Sequence, residues 1–274
     1  MNVLCIDIGN THTHFGRVCE IDADIVPATV ATAELDRPGG PLAREIDSTA
    51  ANGARASGIA FCSVVPEAEE RLRRLVGSAR PGLPVFQLTR KTLPPGVRIH
   101  YPRPDEIGQD RLANVVAACR LVPLPCVVID LGTAVTFDIL SARHGYEGGI
   151  IAPGIAVMTG YLHQQTALLP QLDEDFRLDG AIGKSTREAM RIGCVLGFRG
   201  MLEALLNAVR EELARIGEPD PSLVLTGGAA DFLFDPGEEK RNNPPWKGVL
   251  TIQDLTLKGL AYAFREAFPH GTSA

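Results

Sequence analysis

Two stretches of the chain carry the same order of apolar and polar positions. Leu4-Cys5-Ile6-Asp7-Ile8-Gly9-Asn10-Thr11 is an apolar run that closes on an aspartate, a glycine and a hydroxyl, and Val127-Val128-Ile129-Asp130-Leu131-Gly132-Thr133 repeats it half a chain later. An apolar run without alternation reads as a strand buried on both faces. The glycine behind each aspartate allows a turn of positive φ. Alternating positions follow in both copies, Thr13 to Val18 and Val135 to Leu140. They predict a β-hairpin in place of the strand-to-helix step of a dinucleotide fold. Two lobes of one construction, residues 1–120 and 121–274, are the economical reading.

Each half then alternates strands, such as Gly58 to Val65 and Leu223 to Thr226, with amphipathic helices at Glu67 to Gly77, Leu112 to Leu121 and Leu255 to Phe268. That order predicts an α/β architecture. The longest helix opens at the capping box Ser185-Thr186-Arg187-Glu188 and runs to about Ile216, with Phe198, Met201, Leu202, Leu205, Leu206, Val209 and Leu213 on one face. Gly193, Gly197 and Gly200 share a side of it, where bare backbone admits another helix from the same lobe or from a second subunit. Asp235 to Lys247, rich in Pro, Gly, Asn and charge, reads as a surface loop.

The 274 residues are 45% hydrophobic and 22% charged, a globular balance, and the formal charge is −6. Such a chain has no basic field to attract nucleic acid or anionic lipid. The uncharged stretch 148–172 is interrupted by Pro153, His163, Gln164, Gln165 and Pro170, so no membrane span is expected. Six cysteines without a C-x-x-C pair, and a start with no basic leader, point to thiols in a reducing cytoplasm. His12-x-His14 places two rings on one strand face with no third ligand at a familiar spacing, so zinc is not expected.

An aspartate at a strand's end, followed by glycine and then by Asn10-Thr11-His12-Thr13, offers a carboxylate, bare backbone and several donors, a set suited to phosphate. One such turn is commonly an ordinary tight turn. Its duplication favours two loops that grip opposite ends of a polyphosphate. No G-x-x-x-x-G-K-[ST] and no G-x-G-x-x-G in strand-to-helix context competes for that role. Leu223 to Ala230 adds a strand that breaks at Gly227-Gly228 and opens a helix, either a bed for adenine and ribose or a structural turn. The proline-spaced loop from Tyr101 to Arg111 leads into a helix start. There Asp110 and Arg111 are either a proton acceptor with a guanidinium fork or a cap with a surface ion pair.

Asp7-Ile8-Gly9-Asn10-Thr11, Gly108-Gln109-Asp110-Arg111, Asp130-Leu131-Gly132-Thr133-Ala134, Gly148-Gly149-Ile150-Ile151-Ala152-Pro153-Gly154 and Thr226-Gly227-Gly228 resemble, in order, the motifs of type III pantothenate kinases. The resemblance covers essentially the whole chain. It implies an actin-like, sugar-kinase-like fold of two duplicated RNase H-like lobes with a nucleotide cleft between them, usually a homodimer. It also implies transfer of phosphate from ATP to pantothenate at the start of coenzyme A synthesis. By the same resemblance Asp7, Gly9, Asn10, Thr11, His12 and Thr13 form the first ATP-phosphate loop and Thr133 makes the second contact. Asp110 is the base. Tyr101, Gly108, Gln109, Asp110 and Arg111 line the pantothenate pocket, which Thr186 closes. Asp130 resembles the ligand of a monovalent cation, potassium or ammonium, and Asp7 is the carboxylate nearest the magnesium that accompanies ATP. His12, His14 and Val135 depart from the residues common in the family, which bears on nucleotide affinity. A non-catalytic ATP-binding regulator and a polyphosphate phosphohydrolase are the rival readings. Asp110, Arg111, Tyr101 and Thr186, an acceptor pocket, favour the kinase.

Overall fold

Each repeated apolar run becomes the middle strand of a five-stranded mixed sheet. The computed structural model describes residues 1–21, 23, 25–48, 55–173, 175–230, 246 and 248–269. In the first sheet β1 (Val3–Ile8), β2 (His12–Val18), β3 (Ala28–Ala31), β4 (Gly58–Ser63) and β5 (Val85–Gln87) lie in the order β3-β2-β1-β4-β5. Helices α1 (Pro41–Asp47), α2 (Pro66–Ala79) and α3 (Gln109–Leu121) accompany it. In the second, β6 (Cys126–Leu131), β7 (Ala134–Ser141), β8 (Gly145–Pro153), β9 (Ser222–Thr226) and β10 (Val249–Thr251) lie in the order β10-β9-β6-β7-β8, with α4 (Ile155–Gln164) and α5 (Thr186–Arg215). Both middle strands have a hairpin partner on one side and a parallel neighbour on the other, β2 and β4 for β1, β7 and β9 for β6. The duplication therefore extends from motif to topology.

The two turns differ in length. Ile8 faces Thr13 across the first hairpin, whereas Leu131 faces Val135 across the second, so the first turn holds one more residue. Gly9 N–H donates to His12 O at 3.0 Å and Gly132 N–H to Ala134 O at 3.2 Å, which aligns His12 with Ala134. Neither glycine has a positive φ, so the freedom that glycine allows there is not used. Space is what Gly9 supplies, since a Cβ there would lie 2.9 Å from the His12 carbonyl.

The unalternating run of β1 has a direct cause. Val3 and Cys5 pack with Ala113 and Val116 of α3, while Leu4, Ile6 and Ile8 pack with Leu42 and Ile46 of α1 and Leu72 and Val76 of α2. Covered on both faces, the strand has no solvent side to make polar.

By its contacts the chain divides into Met1–Val122 with Gln253–Ala274, and Pro123–Ile252. The closing helix α6 (Leu255–Ala267) does not follow the second lobe, where the sequence reading put it. Its apolar face, Leu257, Leu260, Ala261 and Phe264, joins the α3 side of the first sheet. Gly259 lets the two helix backbones meet, Thr256 Oγ1 donates to Asn114 Oδ1 at 2.8 Å, and Arg265 donates to Cys19 O at 2.7 Å.

Helix α5 buries Met190, Cys194, Val195, Phe198, Leu202, Leu206, Val209 and Leu213, most of them against β6, β7 and β9. Its start is half a capping box: Ser185 Oγ accepts from Glu188 N–H at 3.2 Å, while the Glu188 carboxylate accepts from Lys184 N–H, one residue earlier than the motif implies. Among the described residues α5 alone is long and apolar enough to cross a membrane, by length and composition. Gly193, Gly197 and Gly200 have no described atom within 4 Å of where a Cβ would stand, so among the described residues nothing packs closely on them. Most of the 235–247 loop, and the helix expected after Gly228, lie outside the described residues.

Candidate active site

In the first unit, one row of side chains crosses the sheet near its turn end. Thr29, His14, Asp7 and Cys62 occupy matching register positions on β3, β2, β1 and β4. His14 Nδ1 and Thr29 Oγ1 are 3.0 Å apart, and Cys62 Sγ donates to Asp7 Oδ1 at 3.3 Å. Burial, with the carboxylates of Asp7 and Asp110 close by, pushes the Cys62 thiol well up, so it stays a neutral donor. Partial desolvation and the neighbouring His12 lower the His14 pKa from its usual 6.5, although the residue remains exposed.

Helix α3 brings Asp110 to the same place. Gln109, its first residue, accepts Ser63 N–H at 3.0 Å through Oε1, and Gln87 Nε2 reaches the same oxygen at 3.3 Å. Because Ser63 stands beside Ile8 in the sheet, these bonds seat the helix start at the C-terminal ends of β1 and β4. Asp110 Oδ1 accepts Arg111 N–H at 2.8 Å, which satisfies a first-turn donor from inside the helix, while the N-cap position is Gly108, without a side-chain cap. That oxygen lies 2.4 Å from where a Cβ on Gly108 would be, so glycine makes room for the carboxylate. Asp7 and Asp110, a hundred residues apart in the chain, thus both border Cys62. Tyr101 and Arg111 are half-buried in this unit.

The loop residues divide by exposure. Asn10, Thr11 and His12 are exposed, whereas Thr13 is fully buried with its hydroxyl 3.0 Å from that of Thr32. Thr32 went unnoticed in the sequence because only the β2–β3 pairing carries it to the turn; no local motif marks it.

In the second unit Asp130, the last residue but one of β6, stands opposite Thr136 and beside Thr226. Gly227, at φ 92°, leaves the space next to Asp130 Oδ1 open, since a Cβ there would come within 2.6 Å of it. Ala229 N–H donates to Leu131 O at 3.0 Å and fastens the Gly227-Gly228 turn to the Asp-x-Gly turn. Thr133 is exposed, and its carbonyl accepts Gly154 N–H at 3.0 Å. A Cβ on Gly154 would lie 2.4 Å from the Gly132 and Thr133 carbonyls, which explains the glycine that closes the Gly148 to Gly154 motif. Thr186 opens α5 and is exposed.

The family model described as type III pantothenate kinase matches residues 3–208. A type III pantothenate kinase of Methylacidiphilum infernorum is 42% identical over 201 residues, 73% of this chain and 68% of that protein. One from Akkermansia muciniphila is 37% identical over 263 residues, 96% of this chain and 98% of its own. Among solved structures, a Campylobacter jejuni protein named for a Baf family transcriptional activator superposes with a TM-score of 0.59 at 19% identity, over 96% of this chain and 98% of the other, a likeness of fold. A Sinorhizobium meliloti protein named for a 2-dehydro-3-deoxygalactonokinase shares the fold as well, with a TM-score of 0.55 at 13% identity over 97% of this chain and 99% of the other, and the family matched by sequence is one of kinases, so the chain is of the phosphotransferase class. The chain belongs to the type III pantothenate kinase family.

Proposed function

We propose that this chain phosphorylates pantothenate from ATP, the first step of coenzyme A synthesis. Beyond family membership, the observation that carries the residue roles is the convergence of Asp7 and Asp110 on Cys62, which supports one site for donor and acceptor. The Asp7 loop, with Gly9, Asn10, Thr11 and His12, takes the ATP phosphates, and Thr133 in the matching turn makes a second contact. Thr13 acts from beneath the loop. Tyr101, Gly108, Gln109, Arg111 and Thr186 belong to the pantothenate site, with the Arg111 fork suited to a carboxylate.

Asp110 orients the pantothenate hydroxyl and accepts its proton as the oxygen bonds to the γ-phosphorus and the bond to ADP breaks. Two cations fit the residues present. Bare backbone at Gly227 leaves room beside the Asp130 carboxylate for potassium or ammonium, and Asp7 is the carboxylate for magnesium. Bound there, they offset negative charge on the transferring group. ADP release, followed with ATP, pantothenate, magnesium and potassium each omitted in turn, tests the reading. It is expected to require all four. Release without pantothenate would mark a phosphohydrolase, and ATP binding without release a regulator.

The homodimer is part of the same proposal. Gly193, Gly197 and Gly200 with exposed Leu196 form an apolar, side-chain-poor face on α5, the kind of surface a second copy covers. Light scattering is expected to give twice the 29.3 kDa chain mass, and Leu196→Glu to shift it toward one chain. An unchanged mass in the variant would remove this face from the interface. The buried thiols Cys5, Cys62 and Cys194, outside any disulfide, support a reducing cytoplasm.

A further inference from the structure

One residue outside the first hairpin turn holds that turn from behind. Thr32, the first residue of a short 3-10 turn (Thr32–Glu34) directly after β3, is buried. Its N–H donates to Thr11 O at 2.9 Å and its hydroxyl to Gly9 O at 2.7 Å. A hydroxyl has one proton, so in the contact between the two threonines Thr13 is the donor. The carbonyl of Thr32 accepts Arg71 Nη1 at 3.2 Å, and Arg71 is ion-paired with Asp36. The latch is therefore itself tied to α2, which carries Arg71.

We infer that Thr32 is a positioning residue for phosphate binding: by holding the carbonyls of Gly9 and Thr11 on the buried side, it keeps their negative ends from turning toward the ATP phosphates. A peptide dipole aimed the wrong way at an anion repels it, and a preset loop avoids reordering when the ligand arrives. The inference rests on the assignment of this loop to ATP.

Thr32→Val preserves shape and the backbone N–H but deletes the hydroxyl, and Thr32→Ser preserves the hydroxyl. Initial rates with ATP and pantothenate varied separately, beside ATP affinity by calorimetry, read the effect. Thr32→Val is expected to raise KM and Kd for ATP about fivefold, the scale of one lost hydrogen bond, and to leave KM for pantothenate within about twofold. Thr32→Ser is expected to restore the ATP constants. If both substrates weaken together and serine does not rescue, Thr32 only supports the fold and the inference is overturned. Should the valine variant not fold, Thr32→Ala reads the same constants. Thr11→Ala, within the loop, separates the two levels: ATP weakened by it but not by Thr32→Val overturns the latch alone, whereas ATP unaffected by either overturns the loop assignment as well.

Discussion

Asp110→Asn is expected to lower kcat by about a thousandfold, the range of a positioned proton acceptor, and to leave ATP affinity within about twofold. The substitution is close to isosteric. An asparagine carbonyl still accepts Arg111 N–H where the carboxylate now does, at 2.8 Å, and still has the space that Gly108 leaves. The start of α3 is also held independently, by Gln109 on Ser63 and Gln87. A folding defect is therefore not expected, and the loss falls on chemistry. An amide holds the acceptor hydroxyl but takes no proton from it. Single-turnover ADP formation and calorimetric ATP binding on the same preparation check both halves. Near-normal turnover would remove Asp110 from the role of base and leave it the acceptor of the Arg111 N–H.

Gly259→Ala is expected to cost about 3 kcal/mol of stability, at the upper end of overpacking effects, and with it several degrees of melting temperature. The new Cβ would stand 1.9 Å from Ala113 O, a backbone atom of α3. No rotamer change relieves a collision with backbone, so the helices must part, and Thr256 to Asn114 is strained with them. Because α3 carries Asp110, activity should fall along with stability. Gly77→Ala on α2 is the control. It meets open space and replaces a poor helix former, so it should be neutral or gain up to about 1 kcal/mol. Thermal unfolding followed by circular dichroism distinguishes the pair, and an unchanged Gly259→Ala would refute the close α3–α6 contact.

Some parts of the molecule were legible in order along the chain because their cause is local or repeated. Leu4 to Thr11 and Val127 to Thr133 declare two strands, two turns and a duplication, and burial on both faces requires their apolar runs. The cap at Ser185 and the length of α5 follow from spacing alone. Asp7, Asp110 and Asp130 stood out by residue type at strand and helix ends. The turn glycines were legible as positions without a side chain, although the sequence does not tell whether handedness or space requires that. At Gly9 it is space.

The sequence by itself determined the α/β pattern, the doubled acidic turns and the motifs of the pantothenate kinase family, because periodicity and local turn chemistry act over a few residues. Only the tertiary structure decided that α6 returns to the first unit, that Asp7 and Asp110 both come near Cys62, and that Thr32 reaches the turn at Gly9. Each of these joins residues distant along the chain through sheet register or helix packing. Such pairings are chosen by shape and hydrogen bonding among elements already formed, and no local spacing encodes them.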